Sequence, residues 1–224
     1  MRSPARHKRA FTLIELLVVI GIIAILIGLL FPAFKAVQNQ ARQTQAKNDL
    51  TQIVNAVNAF YTDYGKYPTS TSSDVIYGPG GTFANKDLFK ELEGCPTTGT
   101  PPPTCSGNST LNTRQIVFIS PPAVKTPASP RSGIATQAAT VNCSAVAIGD
   151  YVDPWGTPYN VEIDGNYDNQ ITTNPYGANG PGLQPLTIGV IAWSVGFDGV
   201  LGTKTAACTG NNSYTNSDDV ISWQ

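Results

Sequence analysis

The sequence predicts an α+β fold in which one long N-terminal helix packs on a small antiparallel sheet. Residues 11–34 form an apolar stretch. From there to Tyr64, apolar side chains recur at intervals of three and four, which is the period of an amphipathic helix. Three later segments have the apolar and β-branched composition of strands. They are residues 158–163, 187–195 and 220–223.

The first ten residues concentrate positive charge. They contain no acid and four basic side chains: Arg2, Arg6, Lys8 and Arg9. Basic residues beside an apolar segment stay on the cytoplasmic side of a membrane, so the chain after residue 34 is expected on the outer side. Residues 11–224 contain the other 10 of the 14 basic residues and all 15 acidic residues. The body is therefore mildly acidic, and without a basic patch we expect it to bind no nucleic acid.

Residues 11–34 are long enough to span a membrane, because 24 residues at about 1.5 Å each exceed the roughly 30 Å hydrocarbon layer. The only charge in the stretch is Glu15. A carboxylate within a membrane helix costs about 2.5 kcal/mol or more and usually marks a functional site. A secretory signal peptide fits less well, since no small-x-small cleavage site follows. An ordinary single-pass anchor remains an alternative, but it leaves Glu15 unexplained.

The segment RAFTLIELLVVIGIIAIL, residues 9–26, resembles the processing site of type IV pilins and of type II secretion pseudopilins. The resemblance implies that a prepilin peptidase cuts between Ala10 and Phe11 and methylates the Phe11 nitrogen. Ala10 stands where the family usually has glycine. The resemblance also implies a role in assembly for Glu15. Glu15 of a neighbouring subunit would neutralise the Phe11 ammonium, each charge relieving the burial cost of the other.

Residues 35–65 are predicted to continue the helix as an amphipathic segment. Pro32 lacks an N–H and crowds the carbonyl of Gly28, so we expect the helix to kink there. Many pilins have a proline at the corresponding position. Gly65 supplies the C-terminal stop, and Pro68 the break beyond it. The predicted apolar face consists of Leu50, Ile53, Val54, Val57, Phe60, Tyr61 and Tyr64.

Residues 66–224 form the predicted globular domain. Its first half, up to residue 150, is rich in Gly, Pro, Ser, Thr and Asn, which is typical of turns and loops. We predict a short helix at Lys86–Leu92 and a strand at Gln115–Ile119 within it. The segment DPWGTPY, residues 153–159, resembles one in the major pseudopilin. We expect it to be a turn whose large aromatic side chain serves packing.

Four cysteines occur without a CxxC pair, which argues against zinc-ribbon or thioredoxin-type chemistry. They are Cys95, Cys105, Cys143 and Cys208. An even number in an exported chain favours two disulfides, with three connectivities open and free thiols as the alternative. A bridge within 95–105 would pin a loop, and Cys143 with Cys208 would tie the middle of the body to its C-terminal end.

Two clusters of oxygen side chains are candidate calcium sites, because Ca²⁺ takes six to eight oxygen ligands. SVGFDG (194–199) and SDDVISW (217–223) resemble the loop and turn that hold calcium in major pseudopilins. The ligands that this resemblance implies are Asp198, Asp218 and Asp219. Ser217 stands where an aspartate is common, and the intervening segment is longer than in the family. The alternative is a solvated acidic turn.

The weaker candidate is DGNYDNQI, residues 164–171. It places oxygen side chains at positions one, three and five, as an EF-hand does: Asp164, Asn166 and Asp168. Position six is Asn169 rather than glycine, and position twelve is Pro175 rather than glutamate. The alternative is an Asn/Asp-rich turn between strands.

Enzymatic function is not expected. The only histidine is His7, within the predicted leader, so the processed chain would lack the imidazole that Ser-His-Asp, Cys-His and HExxH chemistry requires. A membrane-tethered binding module or enzyme remains the alternative from a different class.

The resemblance implies a structural subunit of a type II secretion pseudopilus, with an adhesion, motility or DNA-uptake pilin as the alternative. The implied organisation is a leader (1–10), a transmembrane helix (11–34), its amphipathic continuation (35–65) and a periplasmic domain (66–224). The subunit would sit in the inner membrane before entering a periplasmic filament. The implied partners are further copies of the chain, minor pseudopilins, the prepilin peptidase and the inner-membrane assembly platform, and the implied cofactor is calcium.

Overall fold

The computed structural model describes residues 12–172, 174–177, 180–182 and 185–223, without the side chains of residues 29–33. The predicted leader, Ala10 and Phe11 lie outside the described residues. The chain divides into two compact units, one up to Ala41 and one from Arg42 onwards.

The first helix, α1, comprises Leu13–Tyr64. It ends at Gly65, which has a left-handed φ of +68° and donates its N–H to the carbonyl of Tyr61 at 2.8 Å. Glycine tolerates this conformation without the penalty that a side chain would add. The predicted stop at Gly65 is therefore confirmed. The helix includes position 32, and the kink at Pro32 stays a prediction because that side chain is outside the described set.

In the first unit, the described large apolar side chains from Leu13 to Ile27 are 48% to 83% exposed. Across the described part of the chain, no helix meets the length and hydropathy required of a membrane span. The span at residues 11–34 remains a prediction.

A four-stranded antiparallel sheet forms the centre of the second unit. In spatial order its strands are β1 (Val75–Tyr77), β6 (Asn160–Ile163), β7 (Val190–Ser194) and β10 (Val220–Ile221). The last three lie within the predicted strand segments, which are confirmed. The second helix, α2, comprises Asn85–Leu92 and confirms the predicted short helix.

Among its described residues, the second unit also contains three two-stranded ribbons. They are β2 (Gly133–Ile134) with β5 (Tyr151–Val152), β3 (Ala139–Val141) with β4 (Ser144–Val146), and β8 (Lys204–Ala206) with β9 (Thr209–Gly210). Two disulfides add covalent ties. Cys95 pairs with Cys105, and Cys143 in the β3–β4 turn pairs with Cys208 in the β8–β9 turn, with Cα–Cα distances of 6.0 and 5.5 Å.

The main core forms where the second half of α1 packs on one face of the sheet. Four residues of the predicted apolar face are fully buried there: Leu50, Ile53, Val57 and Phe60. Val54 and Tyr64 pack at the edge of the same cluster. Tyr61 differs from the prediction, because it is 41% exposed and stacks on Tyr67 with ring centroids 4.6 Å apart.

Ile171, Tyr176 and Leu186 contribute to the cluster on the other face of the sheet. Successive strand residues point to opposite faces, so Glu162 points away from the α1 core that contains Val161 and Ile163. Glu162 is 1% exposed, and its Oε2 has no hydrogen-bond partner. Burial, with the nearby charge of Asp74 as the smaller cause, raises the pKa of Glu162 to about 8.

The predicted strand at Gln115–Ile119 is wrong. Gln115 has a φ of +52°, which a strand does not contain. The side chain of Asn112 accepts the N–H of Ile116 at 3.0 Å and donates to its carbonyl at 2.7 Å. The N–H of Phe118 donates to the carbonyl of Leu92 at the end of α2. An asparagine side chain and a helix end thus satisfy backbone groups that a neighbouring strand would otherwise have paired.

Candidate functional site

The start of α1 places Glu15 in a reciprocal cap with Thr12. The backbone N–H and the hydroxyl of Thr12 donate to Glu15 Oε2 at 2.8 and 2.7 Å, and the Glu15 N–H donates to Thr12 Oγ1 at 3.3 Å. This is the capping-box arrangement, which satisfies backbone donors that a helix start leaves open. Glu15 therefore has an intrachain partner in the single subunit.

The three predicted calcium ligands lie together at one end of the sheet. Val220 at the start of β10 pairs with Ser194 at the end of β7 in an antiparallel ladder. The loop after β7 and the turn before β10 therefore meet at the same end of the sheet. Carboxylate oxygens of three side chains lie there within 4.8 Å of one another. They belong to Asp198, Asp218 and Asp219.

The chain between the loop and the turn does not separate them. It folds back as the β8–β9 ribbon, and the Cys143–Cys208 disulfide ties this ribbon to the β3–β4 turn. The additional residues of this segment therefore form a ribbon of their own. Asp198 and Asp218, at the two ends of the segment, remain in hydrogen-bond contact.

Backbone N–H groups hold two of these carboxylates. Asp218 Oδ2 accepts from Phe197 and from Asp198, the latter at 3.1 Å, and Asp219 Oδ2 accepts from Gly202 at 2.7 Å. Gly196, with φ +67°, lies against Asp218, and a Cβ on it would be 2.5 Å from the Asp218 carbonyl oxygen. Only glycine permits this approach, so the loop is shaped to enclose the acidic turn.

One oxygen in the cluster has no such partner. Asp219 is 7% exposed, and its Oδ1 is buried without a hydrogen bond. The neighbouring hydroxyl of Tyr176 acts on Asp219 as a weak donor that lowers its pKa, but the contact falls short of hydrogen-bond geometry, and the hydroxyl has no other such partner among the described residues. The hydroxyl of Ser217, in the same turn, is buried and unpaired as well.

The electrostatics of the cluster disfavour three ionised carboxylates. Burial is the largest cause and raises the pKa of Asp219 to about 7, with the charges of Asp218 and Asp198 as smaller contributions. Burial likewise raises the pKa of Asp198, and the charge of Asp218 adds to the shift. A divalent cation would remove this repulsion and supply a partner for Asp219 Oδ1. The residues present therefore fit calcium.

The weaker candidate is arranged differently. Asp164 is 2% exposed, and its two oxygens accept the N–H groups of Tyr167 and Asn169, both at 2.7 Å. Asn166 and Asp168 hydrogen bond to each other and to nearby backbone at the surface. These side chains build the turn between β6 and the segment that follows, as in the alternative weighed from the sequence.

The DPWGTPY segment forms a buried turn, and Trp155 is part of the main core. Asp153 is completely buried, and its Oδ1 accepts the N–H groups of Trp155, Gly156 and Thr157 at 2.7–2.9 Å. Its Oδ2 accepts from the hydroxyl of Ser194 at 2.6 Å. Sequence reasoning missed the role of Asp153. The available signal was an aspartate that opens a Pro-Trp-Gly turn and folds back on it.

The structure is an α+β fold that opens on a capped N-terminal helix. The model of the prokaryotic N-terminal methylation motif matches residues 5–31. The chain is thus homologous to type IV pilins and to core protein G of type II secretion systems.

Among the relatives is the type IV major pilin protein PilA of Myxococcus xanthus, 37% identical over 73 residues, which are 33% of each chain. The type II secretion system core protein G of Pseudomonas aeruginosa is 37% identical over 65 residues, 29% of this chain and 46% of that protein. The type IV wide pilus major component PilA4 of Thermus thermophilus is 35% identical over 80 residues, 36% and 61%. These relatives are structural subunits and not enzymes.

The matches cover a third to about three-fifths of the length of these relatives. No solved structure matches the chain.

Proposed function

We propose that the chain is a structural subunit of a type II secretion pseudopilus, with its N-terminal helix held in the inner membrane before assembly and its body in the periplasm. The observation that carries this is the union of three segments that resemble the major pseudopilin. These segments, DPWGTPY, SVGFDG and SDDVISW, meet at one end of the sheet. Hydrogen bonds of Asp153, Ser194 and Asp218 join them.

A type IV pilin is the second candidate function. It is favoured by the relatives, which include major pilins as well as core protein G. Both candidates share the same steps: processing between Ala10 and Phe11, methylation of Phe11 and lateral packing of α1. The partners proposed are other copies of the chain, minor subunits, the prepilin peptidase and the assembly platform.

The exposed apolar side chains of the first unit support packing of α1 with other helices. Burying a methylene group contributes about 0.8 kcal/mol, so side chains that are 48% to 83% exposed in the single chain favour burial in a membrane or a filament. Glu15 is the only acid of this segment, and the ammonium of a neighbouring Phe11 is its proposed partner in the filament.

Calcium is the proposed cofactor of the body. Asp198, Asp218 and Asp219 would hold it, and the ion would neutralise a turn whose carboxylates repel one another. The ion would serve structure and no chemical step.

Deleting the gene from its own organism tests the choice between the two functions. A pseudopilus subunit is required for export, so the deletion should abolish secretion of extracellular enzymes and leave surface pili intact. Loss of pili with normal secretion would instead identify a pilin. Reintroducing the gene should restore whichever phenotype is lost.

Substitution of Glu15 tests the assembly step. We expect Glu15→Leu to insert in the membrane but to be excluded from filaments, measured by co-assembly with tagged wild-type chain. Thr12→Val is the matched control, because it removes the side-chain hydroxyl of the cap while leaving the charge in place. Filament entry by Glu15→Leu at the wild-type level would contradict the charge pairing.

The processing site has its own test. Protein extracted from membranes that contain the peptidase should begin with N-methylated Phe11, measured by intact mass. Recovery of the full-length chain alone from those membranes would refute cleavage between Ala10 and Phe11.

A further inference from the structure

Asp153 and Ser194 form a buried hydrogen-bond relay beneath the acidic cluster. Both side chains are completely buried. The Ser194 hydroxyl donates its single hydrogen to Asp153 Oδ2 at 2.6 Å and accepts the Gly196 N–H at 3.1 Å. Because a serine has one hydrogen to donate, the direction of the relay is fixed from Gly196 through Ser194 to Asp153.

The relay has a rigid end. Three backbone N–H groups of the Trp155–Thr157 turn hold Asp153 Oδ1, so the carboxylate cannot rotate without leaving those donors unpaired in the interior, at a cost of about 1–3 kcal/mol each. Asp153 thus fixes the position of Ser194 at the end of β7, which in turn fixes the first residues of the following loop.

The other end of the relay reaches the proposed calcium ligands. Gly196 begins the loop that carries Asp198 and lies directly against Asp218. The next two N–H groups, from Phe197 and Asp198, donate to Asp218 Oδ2. A displacement of Gly196 therefore moves the donors that orient Asp218 and moves Asp198 with them, while Asp219 stays held by Gly202.

We propose that Asp153 and Ser194 are positioning residues for the calcium site. They contact no ligand atom of the site. They hold the loop of Asp198 at the separation from Asp219 that a single ion can bridge. This proposal rests on the calcium site of the proposed function. Partners that orient metal ligands in this way commonly change metal affinity by 10–100-fold when removed.

Calcium titration of the full chain in detergent, with disulfides intact, tests the relay. Ser194→Ala removes the hydroxyl and leaves the Asp153 turn with its three backbone donors. Asp153→Asn keeps an acceptor for those donors but replaces Oδ2 by a group that donates, so the direction of the relay is broken. Two variants are used so that failure of one to fold leaves the other.

Thr157→Val is the matched control. Thr157 is buried in the same turn, its hydroxyl has no hydrogen-bond partner, and its backbone N–H to Asp153 is retained in the variant. We expect Ser194→Ala and Asp153→Asn to weaken calcium binding at least tenfold by calorimetry, and Thr157→Val to stay within twofold of wild type.

The readout separates positioning from mere stability. A purely structural role would lower the melting midpoint in chelator and leave the calcium dissociation constant within twofold, and that result would overturn the proposal. If the wild-type chain binds no calcium, the calcium site of the proposed function fails and the relay proposal with it. Binding by wild type that both variants retain would overturn the relay alone.

Discussion

The two acidic loops of the body show opposite ways of using a buried carboxylate. In the loop that begins at Asp164, both oxygens of the buried side chain accept backbone N–H groups. In the Asp198–Asp218–Asp219 cluster, Asp219 is buried almost as deeply, but one of its oxygens has no partner. The cluster thus combines three neighbouring acids with an unpaired buried oxygen, which the Asp164 loop lacks, and this difference is the reason for proposing an ion at the cluster.

Glu162 is a third case, since its unpaired oxygen lies away from any cluster of three acids among the described residues. Its pKa of about 8 means that a proton satisfies it over most of the ordinary pH range. Backbone donors at Asp164, a proton at Glu162 and, as proposed, a metal ion at Asp219 are three ways to offset the same burial cost.

The largest expected effect on the free energy of unfolding comes from protonation of Glu162. The folded pKa is raised above the ordinary value of 4.5, so the folded chain holds the extra proton between about pH 4.5 and 8. Stability from this group falls as pH rises through that window, by up to about 1.4 kcal/mol per pH unit. Glu162→Gln should remove this dependence, so its melting midpoint relative to wild type should rise steadily with pH.

The measurement is made in chelator, with Asp168→Asn as an exposed control that should run parallel to wild type. A difference between Glu162→Gln and wild type that is the same at pH 5 and at pH 7.5 would mean that Glu162 is not protonated in the folded chain.

Removing Asp164, the first acid of the DGNYDNQI loop, should have the next largest effect on stability. Asp164→Ala leaves two backbone N–H groups without their acceptor, at about 1.5–3 kcal/mol for each charge-assisted bond. The loss should be equal in calcium and in chelator, because the turn is complete without an ion. A calcium response lost in Asp164→Ala but kept in Asp198→Ala, measured by the melting midpoint, would move the metal site to this loop.

Calcium binding should change the stability of the wild-type chain by somewhat less than either substitution. Ligand at a hundred times its dissociation constant adds about 2.7 kcal/mol, and extracellular sites of this kind bind at about 10⁻⁴–10⁻³ M. Asp219→Asn should abolish the rise in melting midpoint while improving stability in chelator, since one of three repelling acids is gone. Equal midpoints of the wild type in calcium and chelator would reject the site.

The smallest effect is expected at Tyr176. Its hydroxyl is buried without a hydrogen-bond partner, so Tyr176→Phe should change stability by less than about 1 kcal/mol in chelator. Calcium affinity, measured by titration, should remain within twofold of wild type. A large loss in chelator that calcium restores would show that the hydroxyl pairs with Asp219 when the ion is absent.

Periodicity predicted the long-range parts of the fold. Leu50, Ile53, Val57 and Phe60 share one helical face and form the core as expected, because burial of that face does not depend on details of the loops. Three of the four predicted strands were recovered, because residues 158–163, 187–195 and 220–223 are rich in β-branched and aromatic residues. β1 and the ribbons are two or three residues long, which is too short for a period to appear.

The local parts of the fold depend on side chains that replace backbone partners. The segment after Gln115 has the composition of a strand, but Asn112 and the end of α2 take its hydrogen bonds. The three acids of the cluster were foreseen from a resemblance of short segments. The orphan oxygen of Asp219 and the relay from Asp153 were not, because both arise from contacts between distant parts of the chain.

The capping box at the start of α1 holds the Glu15 carboxylate by one of its two oxygens. Both hydrogen bonds from Thr12 reach Oε2, and a carboxylate has lone pairs on each oxygen. If Glu15 pairs with the Phe11 ammonium of a neighbouring chain as proposed, that ammonium can bind Oε1 while the first turn of the helix keeps its cap. The side chain would then be oriented before its partner arrives, so that pairing would cost little further rotamer entropy.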